Sequence, residues 1–87
     1  MIVKVLFFAS SVDATGLTDI IINFDDNEAS SKPITTAHLI IKLEIMFPNL
    51  NIKRDQISLA VNEVYCREEK ILFDGDTVAL LPPISGG

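Results

Sequence analysis

Apolar and polar positions alternate in several short segments of this chain, and that period of two predicts strands. The predicted strands cover residues 2–9, 19–24, 57–61, 64–66 and 77–81. In the first of them, Val3, Val5 and Phe7 share one face, whereas Leu6 and Phe8 share the other. Because both faces are apolar, the pattern predicts a central strand that is covered, or nearly covered, on both sides. The first two strands are expected to form an antiparallel pair.

The apolar spacing changes to three and four after Pro33, which predicts a helix that Thr35 or Thr36 caps with its hydroxyl. Ile41 and Ile45 lie on the flanks of its apolar face. We favour the interpretation that these flanks pack on the core, and a partner surface is the alternative. The side chains that share the predicted core face are Thr36, Leu39, Ile40, Leu43, Met46 and Phe47.

The connections between these elements carry turn signals. Residues 10–16 read as a turn with a short helical piece over 11–15 that ends at Gly16. Asn62 and Glu63 form a second turn, and Gly75 suits a third, tight turn over 74–76. One helix lying across one mixed sheet is the natural way to cover this much apolar surface, so we predict an α+β fold.

The end of the sequence differs from the rest, because two prolines and two glycines follow the last predicted strand within six residues. Pro82 and Pro83 lack backbone donors and stop the strand, whereas Gly86 and Gly87 have no side chain to pack. The sequence therefore predicts a folded domain over 1–81 and a flexible extended tail over 82–87. Such a tail could reach on the order of 20 Å and would fit a narrow channel in another protein.

Charge and hydropathy exclude some classes of partner. The 87 residues carry a net charge of −5, which disfavours nonspecific binding to nucleic acid and favours basic protein partners. No apolar run approaches the roughly 18 residues that a membrane-spanning helix needs. We therefore expect one cytosolic domain that binds neither nucleic acid nor membrane.

The side chains offer no catalytic constellation, no glycine-rich phosphate loop and no set of metal ligands. The single cysteine, Cys66, cannot form an internal disulfide, and we expect it to be structural. The single histidine, His38, is expected on the polar side of the helix near its start. One cysteine and one histidine do not make a structural zinc site. The remaining candidate for chemistry is the carboxylate of Gly87, and the chain is not expected to be an enzyme by itself.

Three segments resemble the small, sulfur-carrying subunit of molybdopterin synthase, the MoaD-like family. The segments are 74–87, which reads DGDTVALLPPISGG, 5–9 with the glycine at position 16, and 59–62. They span nearly the whole chain in order, and residues 25–33 and 48–56 carry no resemblance. The resemblance implies a β-grasp, or ubiquitin-like, fold with the first and last strands adjacent and parallel at the centre of the sheet.

The same resemblance implies a function for Gly87. An ATP-dependent activating enzyme of the ubiquitin-activating type would form a transient glycyl adenylate on Gly87, and sulfur would then replace AMP to give a thiocarboxylate (1-thioglycine). The large synthase subunit would receive the tail and supply the catalytic residues, in a complex with two copies of each subunit. The sulfur would pass to cyclic pyranopterin monophosphate to form molybdopterin. No other bound cofactor is implied, and the sulfur donor is left open.

Each tail residue then has an expected role toward the partners. Gly86 permits close approach to the nucleotide and to the channel wall, and the two prolines extend the arm. Leu81 occupies a family position that is usually aromatic, and we expect it to pack on the large subunit. The expected partner-binding residues are Leu81, Pro82, Pro83, Ile84, Ser85 and Gly86.

Two alternatives remain at this point. A carrier of the same architecture could serve transfer-RNA thiolation, thiazole synthesis or conjugation to proteins; the Pro-Pro-Ile-Ser segment favours molybdopterin synthase, since the transfer-RNA carriers resemble His-Gly-Gly at their ends. The chain could instead be an interaction domain with an unreactive tail. Its function would then reside in the outward apolar positions Ala60, Ala79 and Leu81.

Overall fold

A computed structural model describes residues 1–25, 32–50, 52 and 57–82 of the chain. Five strands and two helices follow one another in these residues, and their bounds agree closely with the predicted segments. The elements are β1 (Ile2–Phe7), α1 (Ser10–Thr15), β2 (Asp19–Asn23), α2 (Thr36–Met46), β3 (Ser58–Val61), β4 (Val64–Cys66) and β5 (Thr77–Leu81).

The five strands form one mixed sheet in the order β2-β1-β5-β3-β4. β1 and β5 are parallel, with Val5 opposite Val78 and Phe7 opposite Leu80. The remaining neighbours are antiparallel, including the predicted pair of β1 and β2. The last strand therefore lies in the middle of the sheet, bonded to β1 on one side and to β3 on the other.

The core lies between α2 and one face of the sheet, which we call the helix face. Leu39, Ile40 and Leu43 of α2 are buried against it, as the spacing predicts. Phe7 meets Phe47 edge to face, with 5.9 Å between the ring centroids. The strand residues buried on the helix face include Val3, Val5, Phe7, Ile22, Leu59, Val61, Val78 and Leu80.

The opposite face of the sheet, the open face, is not covered by another element of the described residues. On β1, Ile2 and Lys4 are exposed and Leu6 is half-buried. The prediction that β1 is covered on both sides is therefore wrong. The apolar residues of its second face lie on the open face instead, because a single helix can cover only one side of a sheet.

The start of α2 follows the sequence signal closely. Thr35 is the N-cap, and its backbone N–H donates to Nδ1 of His38 at 3.0 Å, which makes His38 the reciprocal member of a capping box. Thr36 is fully buried, and its hydroxyl accepts the backbone N–H of Lys70 at 3.1 Å. The exposed histidine is thus a structural residue of the helix start.

The far side of α2 departs from the prediction. Ile41 is 58% exposed and Ile45 is 76% exposed, so the favoured interpretation as core flanks is wrong. Met46, predicted to face the core, is also exposed. The helix therefore presents an apolar strip to its surroundings in the described part of the molecule.

Two turns set where the central strand begins. Asn62 and Glu63 have φ values of 51° and 70°, as a two-residue hairpin between β3 and β4 requires, and Gly75 has φ 89°. The Asn62 side chain accepts the N–H of Thr77 at 3.0 Å and donates to Asp76 Oδ1 at 2.9 Å. The hairpin therefore holds the first residue of β5 in register.

Neither described helix is long and apolar enough to cross a bilayer.

Candidate functional site at the end of the central strand

The predicted site begins where β5 ends. Leu81 is the last residue of β5, and Pro82 follows it as a half-buried residue outside the sheet. The other predicted site residues, Pro83, Ile84, Ser85, Gly86 and Gly87, lie outside the described residues. The described part of the site is therefore the end of β5 and its surroundings, from which residues 83–87 continue.

Leu81 lies on the open face, as the alternation along β5 predicts. Its neighbour Leu80 is fully buried on the helix face, whereas Leu81 is half-buried and pairs with Ser58 of β3. A half-buried leucine at the end of a central strand retains apolar surface that a partner can cover.

Phe8 is a second apolar residue at this end of the sheet. Phe7 pairs with Leu80 in the parallel ladder, so the next residues along the two strands, Phe8 and Leu81, come out at the same end. Phe8 is 46% exposed although phenylalanine is usually buried. Sequence reasoning placed Phe8 only on the second face of a covered strand and gave it no role at the site.

A buried hydroxyl fixes the backbone of Phe8. Ser11 is 2% exposed, and its Oγ accepts the N–H of Phe8 at 2.8 Å and donates to the carbonyl of Phe8 at 2.6 Å. Between them Ala9 adopts φ 52°, a positive value that an alanine rarely takes. Ser11 therefore holds the corner that orients Phe8, and Gly16, with φ 74°, ends the short helix α1 behind it.

Small and apolar side chains continue from this end across the open face. The ladder places Leu6 beside Ala79, Ala79 beside Ala60 and Ala60 beside Tyr65. Ala60 was predicted to point outward, and it does lie on the open face, but it is buried at 8% exposure because larger neighbours surround its short side chain. The open-face patch consists of Leu6, Phe8, Ala60, Tyr65, Ala79 and Leu81.

The described polar side chains serve the fold. His38 caps α2, the Ser11 hydroxyl holds Phe8, and Cys66 packs at the edge of the core opposite Leu59. In the part of the chain that the structure describes, no group of three or more His, Cys, Asp or Glu side chains is placed to hold a metal ion.

Known proteins match this chain over nearly its whole length. The molybdopterin synthase sulfur carrier subunit of Arabidopsis thaliana is 34% identical over 85 residues, which cover 98% of this chain and 82% of that protein. The human protein of the same name is 36% identical over 90 residues, which cover 98% of this chain and 93% of that protein.

Solved structures confirm the β-grasp fold. SAMP1 from Haloferax volcanii superposes with a TM-score of 0.81 at 21% identity, over the whole of both chains. A chain in the complex of subunits 1 and 2 of the molybdopterin-converting factor from Helicobacter pylori has a TM-score of 0.60 at 24% identity, again over the whole of both chains. The ThiS family model matches residues 5–87, and the chain belongs to the ThiS family.

Proposed function

We propose that this chain is the sulfur carrier subunit of a molybdopterin synthase. Its family membership supports the proposal, as do the near full-length relatives that carry this name. The fold supports it as well, because a small one-layer sheet with one main helix offers a stable body and an apolar open face. In this function the chain is a carrier and co-substrate rather than an enzyme.

The reacting group in the proposal is the carboxylate of Gly87. The carboxylate attacks the α-phosphate of ATP on an activating enzyme and forms an acyl adenylate, with release of pyrophosphate. A sulfur nucleophile then adds to the acyl carbon, AMP leaves, and a thiocarboxylate results. On the large subunit the sulfur of this group attacks a side-chain carbon of cyclic pyranopterin monophosphate, and the oxygen on that carbon leaves as the carbon–sulfur bond forms. Water then attacks the acyl carbon, the bond between that carbon and sulfur breaks, and the carboxylate of Gly87 is restored. Each cycle therefore delivers one sulfur atom.

The observation that carries the proposal is the parallel pairing of β1 with β5. It places the last strand at the centre of the sheet and brings its final residue out beside Phe8. Residues 82–87 therefore continue from a strand that is paired on both sides and that ends next to an apolar surface. Such an arrangement suits a tail that enters another protein while the body docks beside the entrance.

The open-face patch is the proposed docking surface for the large subunit. Leu81 and Phe8 lie nearest to the tail, and they are expected to be the anchors because docking would remove their exposed apolar surface from water. Subunits 1 and 2 form a complex in the related factor from Helicobacter pylori. We further propose that the complex contains two copies of each subunit. The activating enzyme is proposed as a separate partner.

The tail residues keep the roles assigned from the sequence, as proposals. Pro82 and Pro83 limit the conformations that the arm loses on docking, which favours binding. Gly86 leaves room for a nucleotide and a narrow channel beside the acyl group. Ile84 and Ser85 line the arm between the prolines and the glycines. The cytosolic location expected from the sequence stays a prediction.

Intact-mass analysis tests the chemistry directly. The full chain is incubated with ATP, an activating enzyme of the ubiquitin-activating type and a sulfur source, and the mass of its C-terminal peptide is measured. We expect the mass change of one sulfur-for-oxygen exchange at Gly87. A chain extended by one alanine after Gly87 is the matched control and should neither gain sulfur nor support molybdopterin formation with the large subunit.

The destination of the sulfur separates the proposal from its alternatives. Thiocarboxylated chain is offered to a molybdopterin synthase large subunit with cyclic pyranopterin monophosphate, and molybdopterin is measured. Sulfur loading without molybdopterin would redirect the assignment to transfer-RNA thiolation, thiazole synthesis or conjugation. Failure to load sulfur at all would favour an interaction domain with an unreactive tail.

A further inference from the structure

The outer edge of β2 presents backbone groups that β1 does not use. Phe24 N–H donates to the carbonyl of Met1 at 2.8 Å, and Phe7 N–H donates to the carbonyl of Thr18 at 2.8 Å. Antiparallel ladders alternate, so residues 18, 20, 22 and 24 bond to β1. The residues whose N–H and C=O groups point to the outer edge are Asp19, Ile21 and Asn23.

Among the described residues, this edge is open along most of its length. β2 is the terminal strand of the sheet, and among the described residues only Lys42 reaches its outer groups, with Nζ 2.9 Å from the carbonyl of Asn23. The two groups of Ile21 at the centre of the strand have no partner in the described part of the chain. An open strand edge is a template for pairing with another strand.

Exposed apolar side chains surround the open edge on both faces of the sheet. Ile21 is 56% exposed on the open face, and Ile20 is half-buried on the helix face. A groove between the end of β2 and α2 is lined by Phe24, Ile45 and Met46, among others.

Lys42 connects the edge to this groove. Its Nζ lies 4.7 Å from the ring centroid of Phe24 as well as near the carbonyl of Asn23. The exposed strip of α2 therefore lies beside the outer edge of the strand, and the two form one continuous surface. The β2–α2 surface consists of Ile20, Ile21, Ile41, Ile45 and Met46.

We propose that the β2–α2 surface binds a second copy of this chain, through antiparallel pairing of β2 with β2 centred on Ile21. This register uses all three outward residues of each strand, because Ile21 pairs with Ile21 and Asp19 pairs with Asn23 of the second copy. A shift by two residues in either direction leaves at least one outward residue of each strand unpaired. The pairing joins the two five-stranded sheets into one continuous sheet.

The side chains of β2 are self-complementary in this register. Ile21 meets Ile21 across the two-fold axis on the open face, and Ile20 meets Ile22 of the second copy on the helix face. Asp19 lies opposite Asn23, so the register places no two carboxylates face to face even though the chain carries a net charge of −5. A two-fold interface requires one patch to match itself, and this strand does so.

The exposed strip of α2 supports the same partner. Two-fold pairing at β2 places both copies of α2 on one face of the joined sheet, each with its Lys42 side toward the axis. Ile45, which is 76% exposed in the single chain, then lies next to the second copy. One arrangement thus covers both the open backbone edge and the apolar strip of α2. A partner that supplied only a strand would leave the apolar strip of α2 exposed.

The proposed dimer does not compete with the candidate functional site. β1 lies between β2 and β5, so the patch residues of β3, β4 and β5, Leu81 among them, lie beyond β1 from the interface. Leu6 and Phe8 belong to the β1 segment and are separated from the second copy by β2. The inference is independent of the proposed sulfur chemistry, so either can fail without the other.

Sedimentation equilibrium of the full chain over a range of concentrations tests the proposal. We expect a reversible monomer–dimer equilibrium, and Ile21→Lys should weaken it at least about tenfold, because two lysines would then oppose each other at the axis. Val64→Lys is the matched control. It replaces an apolar residue of comparable exposure, 60%, on β4 at the opposite edge of the sheet, and it should leave the equilibrium unchanged.

Amide hydrogen exchange identifies the edge that is used. The amides of residues 20 and 22 should be protected at every concentration, whereas those of 19, 21 and 23 should become protected only as the dimer forms. In Ile21→Lys, protection at 20 and 22 shows that the strand is still folded. A chain that stays monomeric, a dimer that Ile21→Lys does not weaken, or protection that grows at Tyr65 of β4 instead would each overturn the proposal.

Discussion

The two faces of the sheet differ in what covers them, although the same strands form both. Leu80 and Leu81 are neighbours of identical chemistry, yet Leu80 is fully buried under α2 and Leu81 is half-buried on the open face. Successive side chains of a strand point to opposite faces of the sheet. One residue therefore stabilises the core, whereas the next is available for binding a partner. Changes on the helix face should unfold the domain, whereas changes on the open face should alter binding and leave the fold intact.

The largest effect is expected on the helix face. Leu80→Ala removes buried methyl groups from the centre of the core and should lower the free energy of unfolding by about 2–5 kcal/mol. Urea unfolding of the purified chain measures this loss. The matched control is Leu81→Ala on the open face, which should cost less than half as much. Equal losses at the two positions would mean that the open face is also part of the core.

The next effect is expected on binding. Leu81→Lys places a charge in the proposed interface and should weaken the complex with the large subunit by at least about tenfold, as expected for an interface anchor. Isothermal titration with the large subunit measures the affinity, and urea unfolding should show little change. Ile2→Lys, at the other end of the same face, serves as control and should bind normally. Wild-type affinity of Leu81→Lys would remove Leu81 from the interface.

Ser11 tests the boundary between the two faces. Ser11→Ala leaves the partly buried N–H of Phe8 without its acceptor, so the free energy of unfolding should fall by about 1 kcal/mol. Because the corner that orients Phe8 is lost, affinity for the large subunit should fall as well. Ser11→Thr retains the hydroxyl and is the conservative control. A loss of stability with unchanged affinity would show that Phe8 does not contact the partner.

The smallest effect is expected at the far end of the open-face patch. Tyr65 is 73% exposed on the edge strand β4, so Tyr65→Ala should change the free energy of unfolding by no more than about 0.5 kcal/mol. Its effect on large-subunit affinity should be smaller than that of Leu81→Lys. A larger effect at Tyr65 would move the centre of the interface away from the tail.

Much of the fold could be predicted because local signals agree with one another. Pro33 and Thr35 mark the start of α2, and the strict alternation of Leu59 and Val61 gives the face of β3. Gly75 marks the turn before β5. The parallel pairing of β1 and β5 has no local signal, and it was expected only from the resemblance to a known family.

The apolar flank of α2 could not be assigned from its spacing. Ile41 and Ile45 continue the apolar pattern, but the width of a helix face that becomes buried depends on which elements lie beside it. β2 ends before this flank is covered in the described structure. Phe8 was missed for a similar reason, since an apolar run looks the same whether one or both faces of a strand are covered.

Two residues at corners of the chain, His38 and Ala9, were also beyond the sequence signals. His38 completes a capping box at a position where glutamate or glutamine is expected, so the pattern gave no hint of its role. Ala9 takes a positive φ that usually marks glycine. In both cases the conformation depends on hydrogen bonds at one corner of the chain, and a sequence pattern does not show such hydrogen bonds.

The position of β5 has a mechanical consequence. A strand bonded along both of its sides must lose two ladders at once before it can slide out of a sheet, whereas an edge strand can be peeled away bond by bond. Tension applied beyond Pro82 therefore acts on a strand that two ladders hold in place, rather than on an edge strand. A partner that binds the residues after Pro82 and pulls on them therefore loads two ladders together, which favours retention of the fold.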